Sequence, residues 1–202
     1  MTAAAVSIPD QTRTPEQAVR VRRSWKRRCF EQVRNALAIF GLVFIIYHLC
    51  FRVSVISSGS MGPTLSDEGQ PGSDWLLSER VTYLFRNPRR WEVVQFETND
   101  HLLVAKRVAG MPSEWISIQD GHVNINGKLA PYPESLKWLK HIPYGNLYRS
   151  KAAACGNGYF VLGDDTRDSA DSRMDGPVAP KRILSRTWLI VWPPSRIGFV
   201  NP

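Results

Sequence analysis

Residues 35–51 read NALAIFGLVFIIYHLCF and contain no charged side chain. Continued to Ile56, the stretch has one charge, Arg52, close to its end. As a helix it would be about 33 Å long, which matches the roughly 30 Å hydrocarbon core of a bilayer. The stretch therefore predicts a transmembrane anchor over residues 35–56, and it separates residues 1–34 from residues 57–202.

Two other interpretations of the apolar stretch stay open at this point. A cleavable signal peptide has a short basic region before its apolar core and a small-residue site after it. Here 34 residues precede the stretch, and no such site follows it. A buried core helix rarely contains an uncharged run of this length.

The net charge of +8 is concentrated ahead of the apolar stretch. Residues 1–34 carry eight Lys or Arg and three acids, whereas residues 57–202 carry seventeen and fifteen. By the positive-inside rule, the basic segment should stay cytoplasmic and the larger part should be exported. A nucleic-acid partner is not expected, because a protein that binds nucleic acid would carry its basic surface on the folded part. Residues 1–19 are polar and are predicted to be disordered.

The exported part is predicted to be mainly β, because its apolar segments are short and separated by turn residues. We expect an antiparallel folded sheet or partly closed barrel, with the anchor as the one long helix. Asn126-Gly127 is a strong two-residue hairpin signal. The predicted strands are Trp75–Leu77, Val93–Phe96, Leu102–Val108, Trp115–Ile118, His122–Ile125, Tyr159–Leu162 and Thr187–Val191.

Residues 57–65 read SSGSMGPTL and begin one residue after the predicted anchor. Small residues on both sides of Gly59 would let the backbone turn tightly and expose a hydroxyl beside backbone N–H groups. The simpler interpretation is a flexible Ser/Gly linker between membrane and domain.

Residues 102–110 read LLVAKRVAG, so Lys106 interrupts an apolar strand. Strand alternation would place Leu102, Val104 and Lys106 on one face. Burial disfavours the charged form of a lysine, and a neutral amine can act as a general base toward a serine hydroxyl. An edge-strand lysine that blocks aggregation is the competing interpretation.

The segment GDDTRDSADSR at residues 163–173 follows an apolar strand and is rich in acids. Its spacing does not match an EF-hand calcium loop, so a solvated turn is the simpler interpretation. The four histidines have no Asp or Cys constellation around them, which argues against a Ser-His-Asp triad or a zinc site. We expect no metal and no cofactor.

These segments, in this order, resemble the bacterial type I signal peptidase (leader peptidase) family of Ser–Lys dyad serine proteases. The motif SGSMxPTL at residues 58–65 is similar to the family's nucleophile box, and KRVxGxP at 106–112 to its general-base box. GDD at 163–165 with SxDSR at 169–173 is similar to its third box, and WEVVQF at 91–96 to its strand box. The resemblance covers roughly residues 35–202.

The resemblance implies a role for each matching residue. Ser60 would be the nucleophile and Lys106 the general base, with the Ser60 amide and the Ser58 hydroxyl as the oxyanion hole. Ser169 would orient the Lys106 amine, and Asp171 would pair with Arg173 to support the loop. Met61 and Leu65 would shape shallow substrate pockets.

Several positions depart from the family pattern. Ser57 stands where the family usually has Pro, and Trp91-Glu92 stands where it often has Gly-Asp. The segment after the base box is Pro112-Ser113-Glu114 rather than Pro-Gly-Asp, and Asp165-Thr166 replaces Asn-Arg in the third box. None of these departures removes a catalytic atom.

The resemblance implies a signal peptidase I that cuts exported precursors after small-x-small sites such as Ala-x-Ala. It would be a single-pass protein of the bacterial inner membrane, with a periplasmic catalytic domain and with precursors and lipid as partners. Two alternatives share the fold: a dedicated maturation peptidase of a conjugative transfer system, and a non-catalytic membrane-anchored binding module.

Overall fold

A computed structural model describes residues 15–66, 72–167 and 169–200. The chain forms two compact units, residues 1–48 and residues 49–202. Helix α1 (Pro15–Cys50) begins at a proline, whose fixed φ and missing N–H suit the first position of a helix. Its segment Trp25–Cys50 is long and apolar enough to cross a membrane.

The beginning and the end of α1 both correct the sequence prediction. Residues 15–19, which were expected to be disordered, are helical, while residues 1–14 lie outside the described part of the chain. The helix ends at Cys50 and not at Ile56, because strand β1 (Phe51–Val55) follows it directly. Val53 and Val55 are β-branched and suit a strand, and the whole segment finds an antiparallel partner in residues 75–79.

In the described part of the chain, eleven strands form two sheets in which every pair is antiparallel. After β1 the strands are β2 (Trp75–Glu79), β3 (Val93–Glu97), β4 (Leu103–Gly110), β5 (Trp115–Gln119), β6 (His122–Ile125), β7 (Lys128–Leu129), β8 (Ala153–Ala154), β9 (Phe160–Leu162), β10 (Ile183–Trp192) and β11 (Gly198–Phe199). Short helices are α2 (Thr82–Phe85), α3 (Asn146–Ser150) and α4 (Ser172–Asp175).

The larger sheet has the order β1-β2-β10-β3-β4-β9, with β11 paired to β10. The sheet is curled: the Gln95 side chain on β3 reaches β1, three strands away, and donates a 2.6 Å hydrogen bond to the Ser54 hydroxyl. One core lies inside this curl and contains Leu76, Val93 and Ile190. The prediction of a mainly β, antiparallel folded sheet after one N-terminal helix is confirmed.

The smaller sheet has the order β7-β6-β5-β8. Its β6–β7 hairpin turns at Asn126 and Gly127, with φ values of 50° and 79°. Asn and Gly tolerate positive φ, so the predicted hairpin is confirmed. All seven predicted strands occur; His122–Ile125 has the predicted ends, and the other six have shifted ends. Strands β1, β8 and β11 were not predicted, and β7 was implied only as the second arm of the hairpin.

The structure shows how the chain accommodates Trp91, which stands where the family often has glycine. Its φ of 70° lies in the left-handed region, which favours glycine and costs a bulky residue energy. The indole offsets this cost by packing in the core beside the smaller sheet, against the Tyr132 ring, and its N–H donates a 2.8 Å hydrogen bond to the Pro131 carbonyl.

Candidate active site

Ser60 lies in a single 3₁₀ turn, Gly59–Met61, that begins after the extended residue Ser58. The turn is closed by a 2.8 Å hydrogen bond from the Gly62 amide to the Gly59 carbonyl. Amides at the start of a short helix have no partner inside it. No side-chain cap from Ser58 occupies them either. The turn itself therefore leaves the Ser60 amide unused, and the role of this amide in an oxyanion hole stays a prediction.

Lys106 lies in the middle of β4, where its backbone is paired with Val94 of β3. The residue is only 3% exposed, and its Nζ donates a short hydrogen bond to the Ser60 Oγ. The two residues of the predicted dyad thus meet, although they are far apart in the chain. The predicted apolar face is only partly observed, because Leu102 is outside the strand and exposed.

The Ser58 hydroxyl lies 3.3 Å from the Ser60 Oγ. Ser58 is exposed beside the buried Ser60. The geometry is compatible with the predicted role of Ser58 as the second donor to an oxyanion.

The segment after β9 packs directly on the nucleophile turn. The Asp165 amide donates a 3.1 Å hydrogen bond to the Ser60 carbonyl. A Cβ on Gly163 would lie 2.5 Å from that same carbonyl oxygen and 2.1 Å from the Ser169 Oγ. Only glycine fits at this close approach, which explains why a glycine precedes Asp164 and Asp165.

The predicted ion pair between Asp171 and Arg173 is present and completely buried. The Arg173 guanidinium donates to both carboxylate oxygens, at 2.8 and 2.7 Å. Burial would raise the pKa of Asp171, but the hydrogen bonds and charge of Arg173 with the Gly163 amide hold it below its usual value. The pair therefore stays ionised and closes the loop around Gly163.

Ser169 is held by the buried ion pair. Its hydroxyl donates a 2.8 Å hydrogen bond to the Asp171 carboxylate. The carbonyl of Ser169 accepts a hydrogen bond from the Tyr144 hydroxyl, and the Tyr144 ring lies 4.4 Å from the Arg173 guanidinium carbon. A direct role of Ser169 toward Lys106 stays a prediction.

A second buried ion pair supports the site and was missed by the sequence analysis. Arg107 donates to the two carboxylate oxygens of Asp164 at 2.8 and 2.6 Å. The Thr64 hydroxyl adds a 2.5 Å hydrogen bond to Asp164. Arg107 is the neighbour of Lys106 on β4, so this pair joins the base strand to the loop and to the segment after Ser60. The sequence did contain a signal for this pair, because Arg107 directly follows Lys106 in an apolar strand, where an arginine needs a partner.

These contacts also decide the nature of the acidic loop. Asp164 and Asp171 are both engaged with arginines, and Asp165 accepts hydrogen bonds from Arg167. The loop is an ion-paired support rather than a solvated turn or an open calcium loop. Asp168 lies outside the described residues.

His141 is buried beside both ion pairs. Burial, followed by the nearby Arg173 charge, lowers its pKa from 6.5 to about 4. Neither ring nitrogen has a hydrogen-bond partner among the residues that the structure describes. The imidazole is therefore neutral at pH 7 and acts as packing beneath the loop, not as a catalytic base.

Met61 and Leu65 were predicted to shape the substrate pockets. They are 1% and 0% exposed and pack in the core of the larger sheet with Ala105. Met61 is the last residue of the nucleophile turn and Leu65 follows it, and a role of either in a substrate pocket stays a prediction.

Three comparisons relate this chain to known proteins. A family model described as "Signal peptidase, peptidase S26" matches residues 29–192. The chain is 31% identical to signal peptidase I V of Bacillus subtilis over 172 residues, which cover 81% of this chain and 95% of that protein. It is 30% identical to the probable signal peptidase I-2 of Synechocystis over 153 residues, which cover 72% of this chain but only 65% of that longer protein. A crystal structure of a signal peptidase I from Enterococcus faecalis aligns with a TM-score of 0.40 and 25% identity, covering 50% of this chain and 97% of that one.

Proposed function

Since this chain belongs to the peptidase S26 family of signal peptidases, we propose that it is a membrane-anchored serine endopeptidase that removes signal peptides from exported precursors. The observation that carries the proposal is the hydrogen bond between the buried Lys106 Nζ and the Ser60 Oγ. A serine hydroxyl is a weak nucleophile by itself and needs an adjacent base.

In the proposed acylation, the neutral Lys106 amine takes the Ser60 proton as the Oγ attacks the scissile carbonyl carbon. The carbonyl oxygen becomes an oxyanion that the Ser60 amide and the Ser58 hydroxyl stabilise. When the tetrahedral intermediate collapses, the Lys106 ammonium gives its proton to the leaving amine, and the mature protein departs. Lys106 then deprotonates a water that hydrolyses the acyl-enzyme and releases the signal peptide.

Burial supports the assignment of Lys106 as the base. Water stabilises an ammonium group much better than a protein interior does. At 3% exposure Lys106 has little of that solvation, which favours the neutral amine that the mechanism needs.

The edge of β4 supports binding of the precursor as an added strand. Residues 103–106 pair with β3 on one side, while β9 pairs only from Arg107 onward on the other. Backbone groups of an extended peptide can pair with such an edge and carry its scissile bond to Ser60. Met61 and Leu65 are buried in the core at and just after the nucleophile turn, which suits small side chains next to the cleavage site.

The N-terminal helix supports a single-pass anchor. Its first half is basic and its second half is apolar, so we propose a cytoplasmic N-terminus in the bacterial inner membrane and a periplasmic catalytic domain. Exported precursors and lipid are the proposed partners. The proposed reaction uses neither a metal nor a nucleic acid.

The test is cleavage in detergent of a precursor that carries an Ala-x-Ala site. Wild type should cut after that site, whereas Ser60→Ala, Lys106→Ala and Lys106→Arg should not, because a guanidinium does not deprotonate in proteins. The exposed Lys128→Arg is the matched control and should keep full activity. Turnover by Lys106→Arg would refute the base assignment.

The same experiment separates the alternatives. A dedicated maturation peptidase would leave unrelated precursors uncut but would still be labelled at Ser60 by a serine acylator. A binding module would be neither active nor labelled.

A further inference from the structure

An open cleft lies directly beside the nucleophile turn. Its volume is about 450 Å³, which is within the range of ordinary ligand pockets, and Gly62 and Pro63 line it on the side of the turn. Asp164 and Asp165 line it from the loop after β9, and the Asp165 amide is bonded to the Ser60 carbonyl. The cleft therefore begins within two residues of the nucleophile, in a place that the reaction steps proposed above do not use.

The pairing of β4 indicates which part of a precursor reaches this cleft. In the described part of the chain, only β3 pairs with residues 103–106, whereas β9 occupies the other edge from Arg107 onward. The Ala-x-Ala recognition sequence lies on the signal-peptide side of the cleaved bond, so this side pairs with the free edge and ends at Lys106 and Ser60. The mature side cannot continue along β4, because β9 is already there. It must leave the sheet beside the nucleophile turn, where the cleft opens.

Lys140 lines the cleft from a backbone that is fixed on both sides. Its aliphatic stem packs on the turn between β5 and β6, where a Cβ on Gly121 would lie 3.2 Å from the Lys140 Cβ. The next amide, of His141, donates a 2.8 Å hydrogen bond to the Gly121 carbonyl. The Ile142 amide donates a 2.7 Å hydrogen bond to the Thr166 hydroxyl and so ties this segment to the loop after β9. The position of Lys140 beside the cleft is therefore part of the fold.

Lys140 is also the charge of the cleft that is left uncompensated. The carboxylate of Asp164 is taken up by the buried Arg107, and that of Asp165 pairs with Arg167. Lys140 is exposed and forms no ion pair with any residue that the structure describes. A carboxylate on a peptide in the cleft would supply the missing partner, and complementary charges of this kind give specificity.

Trp138 adds an apolar surface next to this charge. Its indole N–H donates a 2.8 Å hydrogen bond to the Ser135 carbonyl, which orients the ring, and the side chain lines the cleft with 48% of its surface exposed. An aromatic ring offers a large contact area to an extended peptide. A flat ring beside a lysine suits a peptide segment that carries an acidic side chain.

We propose that this cleft binds the first residues of the mature part of the precursor, and that Lys140 favours an acidic residue among them. The inference rests on the peptidase function proposed above and deepens it. The sequence before the bond decides whether a precursor is cut. Among precursors with equally good Ala-x-Ala sites, the charge after the bond decides how fast each is cut.

The test measures kcat/KM of the full chain in detergent for peptides that share one signal-side sequence ending in Ala-x-Ala. Asp, Asn or Lys is placed at each of the first five positions after the cleaved bond. A further peptide has a fluorogenic amide in place of the whole mature side and reports the dyad alone. The enzymes are wild type, Lys140→Glu and the matched control Lys128→Glu, which changes the net charge equally at an exposed position of β7 outside the cleft.

Wild type should cleave the Asp peptide about two- to fivefold faster than the Lys peptide at one or two of these positions, as an exposed ion pair implies. Lys140→Glu should reverse that order, and Lys128→Glu should keep it. The preference should weaken as salt is added. A ratio of two peptides on one enzyme does not depend on how much of the enzyme is folded, so loss of structure cannot imitate the reversal.

Three results would overturn the inference and leave the peptidase function standing, provided that the fluorogenic peptide is cut. They are equal cleavage of the Asp and Lys peptides at every position, an order that Lys140→Glu does not change, and the same reversal in Lys128→Glu, which would mean that only the net charge matters. If wild type cuts neither the fluorogenic peptide nor any of the longer ones, the proposed function fails and the inference falls with it.

A second variant tests the apolar surface of the cleft. In Trp138→Ala, cleavage of the best Asp peptide relative to the fluorogenic peptide should fall by about three- to tenfold, because the mature side loses its contact with the ring. Leu129→Ala, at a residue that is 64% exposed outside the cleft, is the control and should keep the ratio of wild type. An unchanged ratio in Trp138→Ala would show that the mature side does not lie in this cleft.

Discussion

A Cβ placed on Gly163 would lie 2.5 Å from the carbonyl oxygen of Ser60. The nucleophile turn and the loop after β9 are therefore in backbone contact, and the position of the Ser60 hydroxyl depends on a residue that carries no chemistry. The Asp171–Arg173 and Arg107–Asp164 pairs hold the loop in that contact.

We expect Gly163→Ala to lower the cleavage rate by at least about tenfold, because the loop must move away from Ser60 to make room for a methyl group. The measurement is turnover of the Ala-x-Ala precursor in detergent. Gly198→Ala is the control, since its nearest neighbour would be 3.9 Å away, and it should behave as wild type. Equal activities of the two variants would contradict the backbone contact.

Asp164→Asn should leave the Arg107 guanidinium buried without its counter-charge. Loss of one partner of a buried pair costs about 3–5 kcal/mol. Thermal unfolding of the full chain in detergent should therefore occur at a markedly lower temperature. Glu134→Gln breaks the exposed pair with Lys137 and should change stability by less than about 1 kcal/mol. Similar melting temperatures for both variants would argue against a structural role for Asp164.

Arg173→Lys keeps the charge but loses the two-pronged contact with Asp171 and the bonds to Ile142 and Thr166. We expect reduced stability and a reduced cleavage rate, because lysine cannot reproduce the planar geometry of a guanidinium. Arg167→Lys, at an exposed position of the same loop, serves as the control. If Arg173→Lys melts and cleaves as the control does, the loop does not depend on that geometry.

The buried His141 should make the domain sensitive to acid. Its folded-state pKa of about 4 is below the unfolded value of 6.5, so the unfolded chain takes up a proton first as the pH falls. The contribution of neutral His141 to the free energy of unfolding is fully present above pH 6.5. It is lost progressively down to about pH 4, and the total loss is about 3 kcal/mol. Denaturant unfolding at pH 7 and pH 5 measures the part of this loss that occurs above pH 5.

His141→Phe should remove this part of the pH dependence, whereas His101→Gln, at an exposed position, should not. Asp171 adds a separate loss only at lower pH, where its depressed pKa is crossed. An unchanged slope between pH 7 and pH 5 in His141→Phe would show that the histidine is not the group responsible.

Local patterns were sufficient for several parts of the structure. The uncharged run before residue 51 predicts the apolar helix, and Asn126-Gly127 predicts its hairpin, because helix length and turn geometry depend on neighbouring residues. Ser60 and Lys106 were found from their motifs, and the structure brings their side chains together as expected.

The remaining features depend on partners that are distant in the chain. The helix ends at Cys50 because residues 51–55 find a strand partner in residues 75–79, which no local pattern specifies. The pairing of Arg107 with Asp164 and the hydrogen bond from Ser169 to Asp171 likewise join segments that the local patterns did not connect. Sequence alone determined the apolar helix, the hairpin and the residues proposed to carry the chemistry. Tertiary structure decided which groups they contact, because strand pairing and the pairing of buried charges are settled only when separate segments pack together.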